Sequence, residues 1–345
     1  KEEKKMIPRT FTFLLLSFLG MGFAFTLPLA FGQTKPVELS YSIFFPAPHK
    51  NTVLAIEWAK EIEKRANGGV KITIYPGGTL TPADKCYDGV EKGISDIGMS
   101  VLSYTMGKFP LTEVIDLPLS YKSALAATKL INRYYGKFKP KELDSTQVMY
   151  FHAHGPGILH TKKAVHKLED LKGMKIRCTG MAAKVVTALG GVPVAMPMGE
   201  TYDALNRGVV DGSMAPQEAL QGWKWGEVVK FTTDSFGAAY SSGFFVVMNK
   251  DKWNKLSPDV QKIIAEVSEE WIEKTGRNWD EIERAGRDFT LKLGNQIISL
   301  SPEENERWAK AVQPILGDYV NRMKAKGLPG EEALKFCLDQ LKRLP

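Results

Sequence analysis

Residues Leu171–Pro216 read LKGMKIRCTGMAAKVVTALGGVPVAMPMGETYDALNRGVVDGSMAP, and their pattern decides the fold. Met174, Ile176 and Cys178 alternate with Lys175, Arg177 and Thr179, the period of a strand with two unlike faces. Gly173 and Gly180 bracket that strand. Met181–Leu189 suits a helix and stops at Gly190-Gly191. Val192–Met196 is a second strand, Gly199–Arg207 a helix closed by Gly208, and Val209–Asp211 a third strand. In an open α/β sheet a ligand sits beyond the carboxyl ends of the strands, which is where Arg177 falls.

The same grammar fills the chain before it. Leu39–Phe45 reads as a strand, and a helix follows from Asn51, a good N-cap residue, to Ala66. Val70–Tyr75 alternates as a strand, Thr81-Pro82 opens a helix reaching Lys92, and Ser95–Met99 is the next strand. Strands alternating with helices predict mostly parallel sheets covered on both faces. YDGVEKGISDIGMS from Tyr87 and YDALNRGVVDGSMA from Tyr202 share Tyr, Asp, Gly, Asp and Met at a constant offset of 115 residues. The echo predicts two similar α/β lobes with a ligand cleft between them.

Two stretches connect the lobes. Gln147–His154 leaves the first lobe and Tyr240–Asn249 returns to it; such crossings are natural hinges. Beyond Ser257-Pro258, Asp259–Leu293 has few breakers and reads as one long helix, with Gly276 and Gly286 as places to bend. Ser301-Pro302 starts another helix, and Gly330–Leu341 is a short amphipathic one. The expected organisation is a first lobe of residues 33–154 and 242–285 and a second of 155–241 and 286–345, braced by the long helix.

Residues 1–32 have the layout of an export signal: charged Lys1–Arg9, apolar Phe11–Phe25 and a small-x-small site at Ala30-Phe31-Gly32. The expectation is a periplasmic protein cleaved near Gly32, with a mature chain that is not inserted in the membrane. Of the net charge of +7, removal of this segment leaves +5, and no Lys/Arg run is interleaved with aromatics, so nucleic acid is not an expected partner. Cys86, Cys178 and Cys337 are an odd number without metal-site spacing.

The residues that identify a family are Leu168-Glu169-Asp170-Leu171-Lys172-Gly173-Met174-Lys175-Ile176-Arg177 and Ala204-Leu205-Asn206-Arg207-Gly208-Val209-Val210-Asp211-Gly212. Tyr75-Pro76-Gly77-Gly78, Asp116-Leu117-Pro118 and Met248-Asn249-Lys250 support them. With these the chain resembles the solute-binding proteins of tripartite ATP-independent periplasmic (TRAP) transporters, the dicarboxylate-binding-protein-like family. The resemblance implies an α/β, two-lobed periplasmic binding fold with two crossing strands and a long C-terminal helix spanning the lobes. It also implies delivery of a small carboxylate to a membrane permease, with Arg177 making a two-pronged salt bridge to that carboxylate.

Elementary chemistry agrees, since a guanidinium fork matches a carboxylate as an ammonium cannot. Departures from the family pattern narrow the ligand. His154-Gly155-Pro156-Gly157-Ile158-Leu159-His160 lacks the second arginine of sialic-acid-binding relatives, and Ser213–Glu218 lacks the asparagine that reads polar sugar acids. Gln217 and Glu218 are the residues a metal-assisted site would use; no metal and no cofactor are expected. Phe44, Phe45, Tyr104, Met214, Tyr240 and Phe244 at cleft edges point to a monocarboxylate with an apolar or aromatic body. His49, His154 and Pro216 complete the candidate ligand contacts. The chain has no HExxH, GxSxG or Walker pattern, so an enzyme is not expected. A hydrolase or lyase, or a sensor-input receptor, on the same scaffold is the alternative.

Overall fold

The computed structural model describes residues 35–344; the expected export signal lies outside them. The first half runs β1 (Val37–Ile43), α1 (Lys50–Arg65), β2 (Val70–Tyr75), α2 (Cys86–Glu91), β3 (Ile97–Val101), α3 (Ala124–Phe138) and β4 (Thr146–Ala153). The middle runs β5 (Ile158–Thr161), β6 (Lys175–Cys178), α4 (Ala182–Ala188), β7 (Val192–Ala195), α5 (Met198–Asn206), β8 (Gly212–Ala215), α6 (Glu218–Gly222) and β9 (Phe231–Asp234). The remainder is β10 (Gly243–Asn249), α7 (Lys250–Lys255), α8 (Pro258–Lys292), β11 (Gln296–Ser299), α9 (Pro302–Val312), α10 (Pro314–Ala325) and α11 (Gly330–Leu341).

Two sheets result, ordered β2-β1-β3-β10-β4 and β11-β9-β5-β8-β6-β7. The sequence echo is realised in their registers. Tyr41 and Ser42 of β1 pair with Ile97 and Gly98 of β3, while Ile176 and Arg177 of β6 pair with Gly212 and Ser213 of β8. Gly212 and Ser213 lie 115 residues beyond Ile97 and Gly98, so β6 is the counterpart of β1 and Arg177 that of Ser42. In each sheet the parallel trio is flanked by an antiparallel strand arriving from the other half: β10 beside β3, and β5 beside β8. The chain crosses between the sheets at residues 154–157 and 235–242, and a single bridge, Gly157 to Tyr240, ties the crossings together. Gly157 is obligatory there, because a Cβ would lie 2.3 Å from the Tyr240 ring.

The long helix α8 holds both halves. It packs on α1, α3 and β4 on one side and on α6 and β11 on the other. Its two glycines are approach points within a continuous helix. A Cβ on Gly276 would stand 2.9 Å from the Leu125 backbone, and one on Gly286 only 2.1 Å from the Gln217 carbonyl. Between them, Asp280 accepts the first N–H groups of α3, from Ala124 at 2.6 Å and Leu125 at 3.2 Å, as a cap supplied by another element. The C-terminal tail divides, with α9 packing on α4 and α11 lying on α3.

Three local expectations are corrected. The N-cap of α1 is His49 rather than Asn51: its ring nitrogen takes the Asn51 N–H at 3.1 Å. The Thr81-Pro82 segment enters a 3-10 turn, Ala83–Lys85, before α2 begins. The third strand of the second lobe starts at Gly212, not Val209. Asp211 turns its carboxylate onto the Lys175 N–H at 2.8 Å, and Gly212 alone fits against the His160 carbonyl, 2.5 Å from where a Cβ would be.

Candidate functional site

The register equivalence brings strand ends from the two sheets face to face. Phe44 and Thr179 follow β1 and β6 at equivalent positions, Val101 and Pro216 are the equivalent exits of β3 and β8, and all four line one cavity. The crossings add His154, Tyr240 and Ser242, and α8 adds Trp279. The first-sheet side is aromatic. Phe44 lies parallel to Phe244 with centroids 6.4 Å apart, stacks on Phe45 at 4.2 Å and meets the edge of Tyr104 at 5.7 Å.

Arg177, from β6 of the second sheet, is the cation of this cavity and is only 2% exposed. Strand parity works as expected, since Ile176 and Cys178 enter the core while Arg177 and Thr179 face the cavity. The guanidinium is held from behind: Nε donates to the Met196 carbonyl at 2.9 Å, and the Trp225 ring lies under it at 5.7 Å. Nη2 is buried and has no hydrogen-bond partner among the described residues. A buried cation with an unused donor is costly unless an anion meets it.

Two groups beside Arg177, His154 and Tyr104, are neutral. Burial, with a smaller contribution from the Arg177 charge, lowers His154 to about 4; its Nδ1 lies 2.5 Å from the Gly155 carbonyl, which makes Nδ1 the donor and Nε2 an acceptor. Burial raises Tyr104, opposed by the nearby guanidinium. The Tyr104 hydroxyl accepts the Met198 N–H at 3.1 Å, a bond from the first half to the start of α5 in the second. His152 lies one strand step behind the wall, lowered to about 3 by burial, and accepts the Trp279 indole N–H at 2.9 Å. Among the described residues no group of three His, Cys, Asp or Glu could hold one.

Of the residues singled out in the sequence, Arg177, His154, Phe44, Phe45, Tyr104, Pro216, Tyr240 and Phe244 all line this cavity. Met214 sits behind it, where its carbonyl accepts the Tyr240 hydroxyl at 3.1 Å. His49 also stands back, stacked on Phe45 and hydrogen-bonded through Nε2 to Glu218 Oε1 at 2.6 Å. Gln217 turns away to Arg287, while Glu218 faces the cavity. Sequence reasoning missed Thr179, Val101, Met198, Ser242 and Trp279. The 115-residue echo could have found Thr179 and Val101; nothing local marks Trp279, which reaches the site from a helix about a hundred residues after Arg177.

Comparison with known proteins gives a consistent picture. The family profile described as bacterial extracellular solute-binding protein, family 7, matches residues 46–322. A TRAP solute-binding protein from a marine metagenome, specific for aromatic acid ligands and solved with metahydroxyphenylacetate, is 30% identical. The match covers 89% of this chain and 99% of that one, with a TM-score of 0.85. One from Rhodoferax ferrireducens T118, solved with copurified benzoate, is 29% identical over 89% of this chain and 98% of that one, again with a TM-score of 0.85. The C4-dicarboxylate-binding periplasmic protein of Rhodobacter capsulatus is 25% identical over 95% of this chain and 99% of its own length.

Proposed function

We propose, from the fact that this chain belongs to family 7 of the bacterial extracellular solute-binding proteins and is a TRAP transporter receptor for organic acids, that its ligand is a small aromatic monocarboxylate. Arg177 anchors the carboxylate, the Phe44, Phe45, Phe244 and Trp279 rings take the body, and the closed receptor delivers the acid to a membrane permease. The observation that carries this reading is Arg177 itself, 2% exposed with Nη2 unpartnered in an aromatic-walled cavity. The relatives solved with benzoate and metahydroxyphenylacetate support the aromatic body.

The geometry also supports closure as the binding event. In an open, hydrated cleft an arginine–carboxylate pair is worth about 1 kcal/mol or less. Once the aromatic wall covers it, loss of one partner costs on the order of 2–5 kcal/mol. Closure is therefore favoured by the acid and not by a neutral analogue. Calorimetry with benzoate on the wild type and Arg177→Lys tests this. The lysine variant should bind at least about thirtyfold more weakly. Near-wild-type affinity, or equal binding of benzamide and benzoate, refutes the carboxylate anchor.

A further inference from the structure

We infer that Glu218 is a second polar anchor of the cavity and selects acids whose body carries a hydrogen-bond donor, a hydroxyl or an amino group. This rests on the reading that the ligand is an acid held at Arg177. Glu218 opens α6 and is 2% exposed, yet its two oxygens are treated very differently. Oε1 is committed to His49 at 2.6 Å. The direction of that bond is fixed by the fold: His49 caps α1 by accepting the Asn51 N–H on Nδ1, so the ring proton is on Nε2 and His49 donates. Gly222, at the far end of α6, makes room for the pair, since a Cβ there would lie 1.9 Å from Oε1 and 2.8 Å from His49 Nε2.

Oε2 is buried and has no partner among the described residues, although Glu218 lines the cavity. The other acid nearby, Glu283, also has a buried oxygen without a partner, Oε1, but does not line the cavity. Glu283 is driven well above the usual carboxylate range by burial and then by Glu218, and its Oε2 already accepts the Gln217 N–H at 2.8 Å. Among the described residues that line the cavity, the fully buried side-chain atoms without a partner are one donor, Arg177 Nη2, and one acceptor, Glu218 Oε2; His154 Nε2 is a second, neutral acceptor on the same lining. A buried acceptor is stabilised by a donor, is left stranded by a C–H or C–F group, and repels a second carboxylate.

The test is calorimetry on the full chain with benzoate and with matched 2-, 3- and 4-substituted fluoro-, hydroxy- and aminobenzoates. At one ring position the wild type should bind the hydroxy or amino acid at least about tenfold more tightly than the isosteric fluoro acid. In Glu218→Gln the His49 donor keeps the amide oxygen, so the amide NH2 faces the cavity. The affinity for the aminobenzoate relative to benzoate should then fall at least about tenfold. Circular dichroism checks that the variant is folded; should it not fold, the wild-type hydroxy-to-fluoro ratio decides alone. Ratios within about twofold at every ring position, or equal losses for aminobenzoate and benzoate in the variant, overturn the role of Glu218 and leave the Arg177 anchor standing. Failure of every acid to bind overturns both.

Discussion

Asp116 gives the sharpest test of how the two halves meet. It ends a 3-10 turn, Thr112–Asp116, is 4% exposed, and accepts the Gly243 N–H on Oδ1 at 3.2 Å, where β10 begins. Gly180, at φ +51°, closes over it from the second half, and a Cβ there would stand 3.2 Å from Oδ2 and 2.5 Å from the Ser103 side chain. Burial pushes the Asp116 carboxyl up to about 8, from 3.8 in the unfolded chain. The folded state therefore holds a proton that the unfolded state releases. Its stabilising effect is complete below 3.8 and is lost as the pH rises through 8. At pH 7 the ionisable acid costs about 4 kcal/mol, at about 1.36 kcal/mol for each pH unit above the unfolded value. An asparagine side chain at this position keeps the acceptor for Gly243 and does not titrate. Asp116→Asn should match the wild type near pH 4 and exceed its stability by up to about 4 kcal/mol at pH 7. Urea unfolding at pH 4.5, 7 and 8.5, followed by tryptophan fluorescence, reads this directly. A stability difference that is the same at all three values refutes the assignment of a buried, protonated carboxyl.

Two further outcomes follow from the same geometry. Tyr104→Phe removes the acceptor for the Met198 N–H across the cleft and should weaken benzoate binding about fivefold, as expected for about 1 kcal/mol; unchanged affinity in calorimetry would show that closure does not use this bond. His152, His154 and His160, lowered by burial to about 3, 4 and 4, are neutral when folded but take up protons below 6.5 when unfolded. Their contribution is full above 6.5 and is lost as the pH falls toward 4, so His160→Gln should flatten the acid limb of stability by about 1 kcal/mol per pH unit between 4.5 and 6. An unchanged slope in urea melts would contradict that.

The α/β halves, the parallel trio in each, the crossings and the placement of Arg177 at the cavity were legible because each rests on a local signal: strand parity, glycine stops, or a repeated motif; the antiparallel strands that make both sheets mixed were not, since they arrive from the other half. His49 was legible as a site candidate but not as a helix cap, because its partners, Asn51 and Glu218, are 2 and 169 residues away and only the second explains its ring orientation. Met214 read as a cleft-edge residue because it is apolar near the end of a strand, yet its side chain is in the core and its carbonyl accepts the Tyr240 hydroxyl. Trp279 was illegible for a different reason. A tryptophan on a helical face reads as core, and its position at the cavity depends on Gly276 and Gly286 seating α8 against both halves.

The equivalence of Ser42 and Arg177 explains why the site is one-sided. Ser42 is fully buried and bonded to the Thr81 hydroxyl at 2.6 Å, so the first sheet spends this position on its own packing. Its neighbour Phe44 then presents an aromatic face, whereas the counterpart Thr179 sits beside a charge. Cation and aromatic surface thus lie on opposite walls, joined across the cleft by the Tyr104–Met198 and His49–Glu218 bonds. An acid touching only the second wall is solvated and weakly held, and an apolar body touching only the first gains area without charge pairing. On the proposed reading only closure would satisfy both at once, and an Arg177–carboxylate pair would strengthen as water left. A cation on each wall would instead favour a dicarboxylate. One on a single wall, with Glu218 set into the same half, is the arrangement from which we propose a single carboxylate whose far end can donate a hydrogen bond.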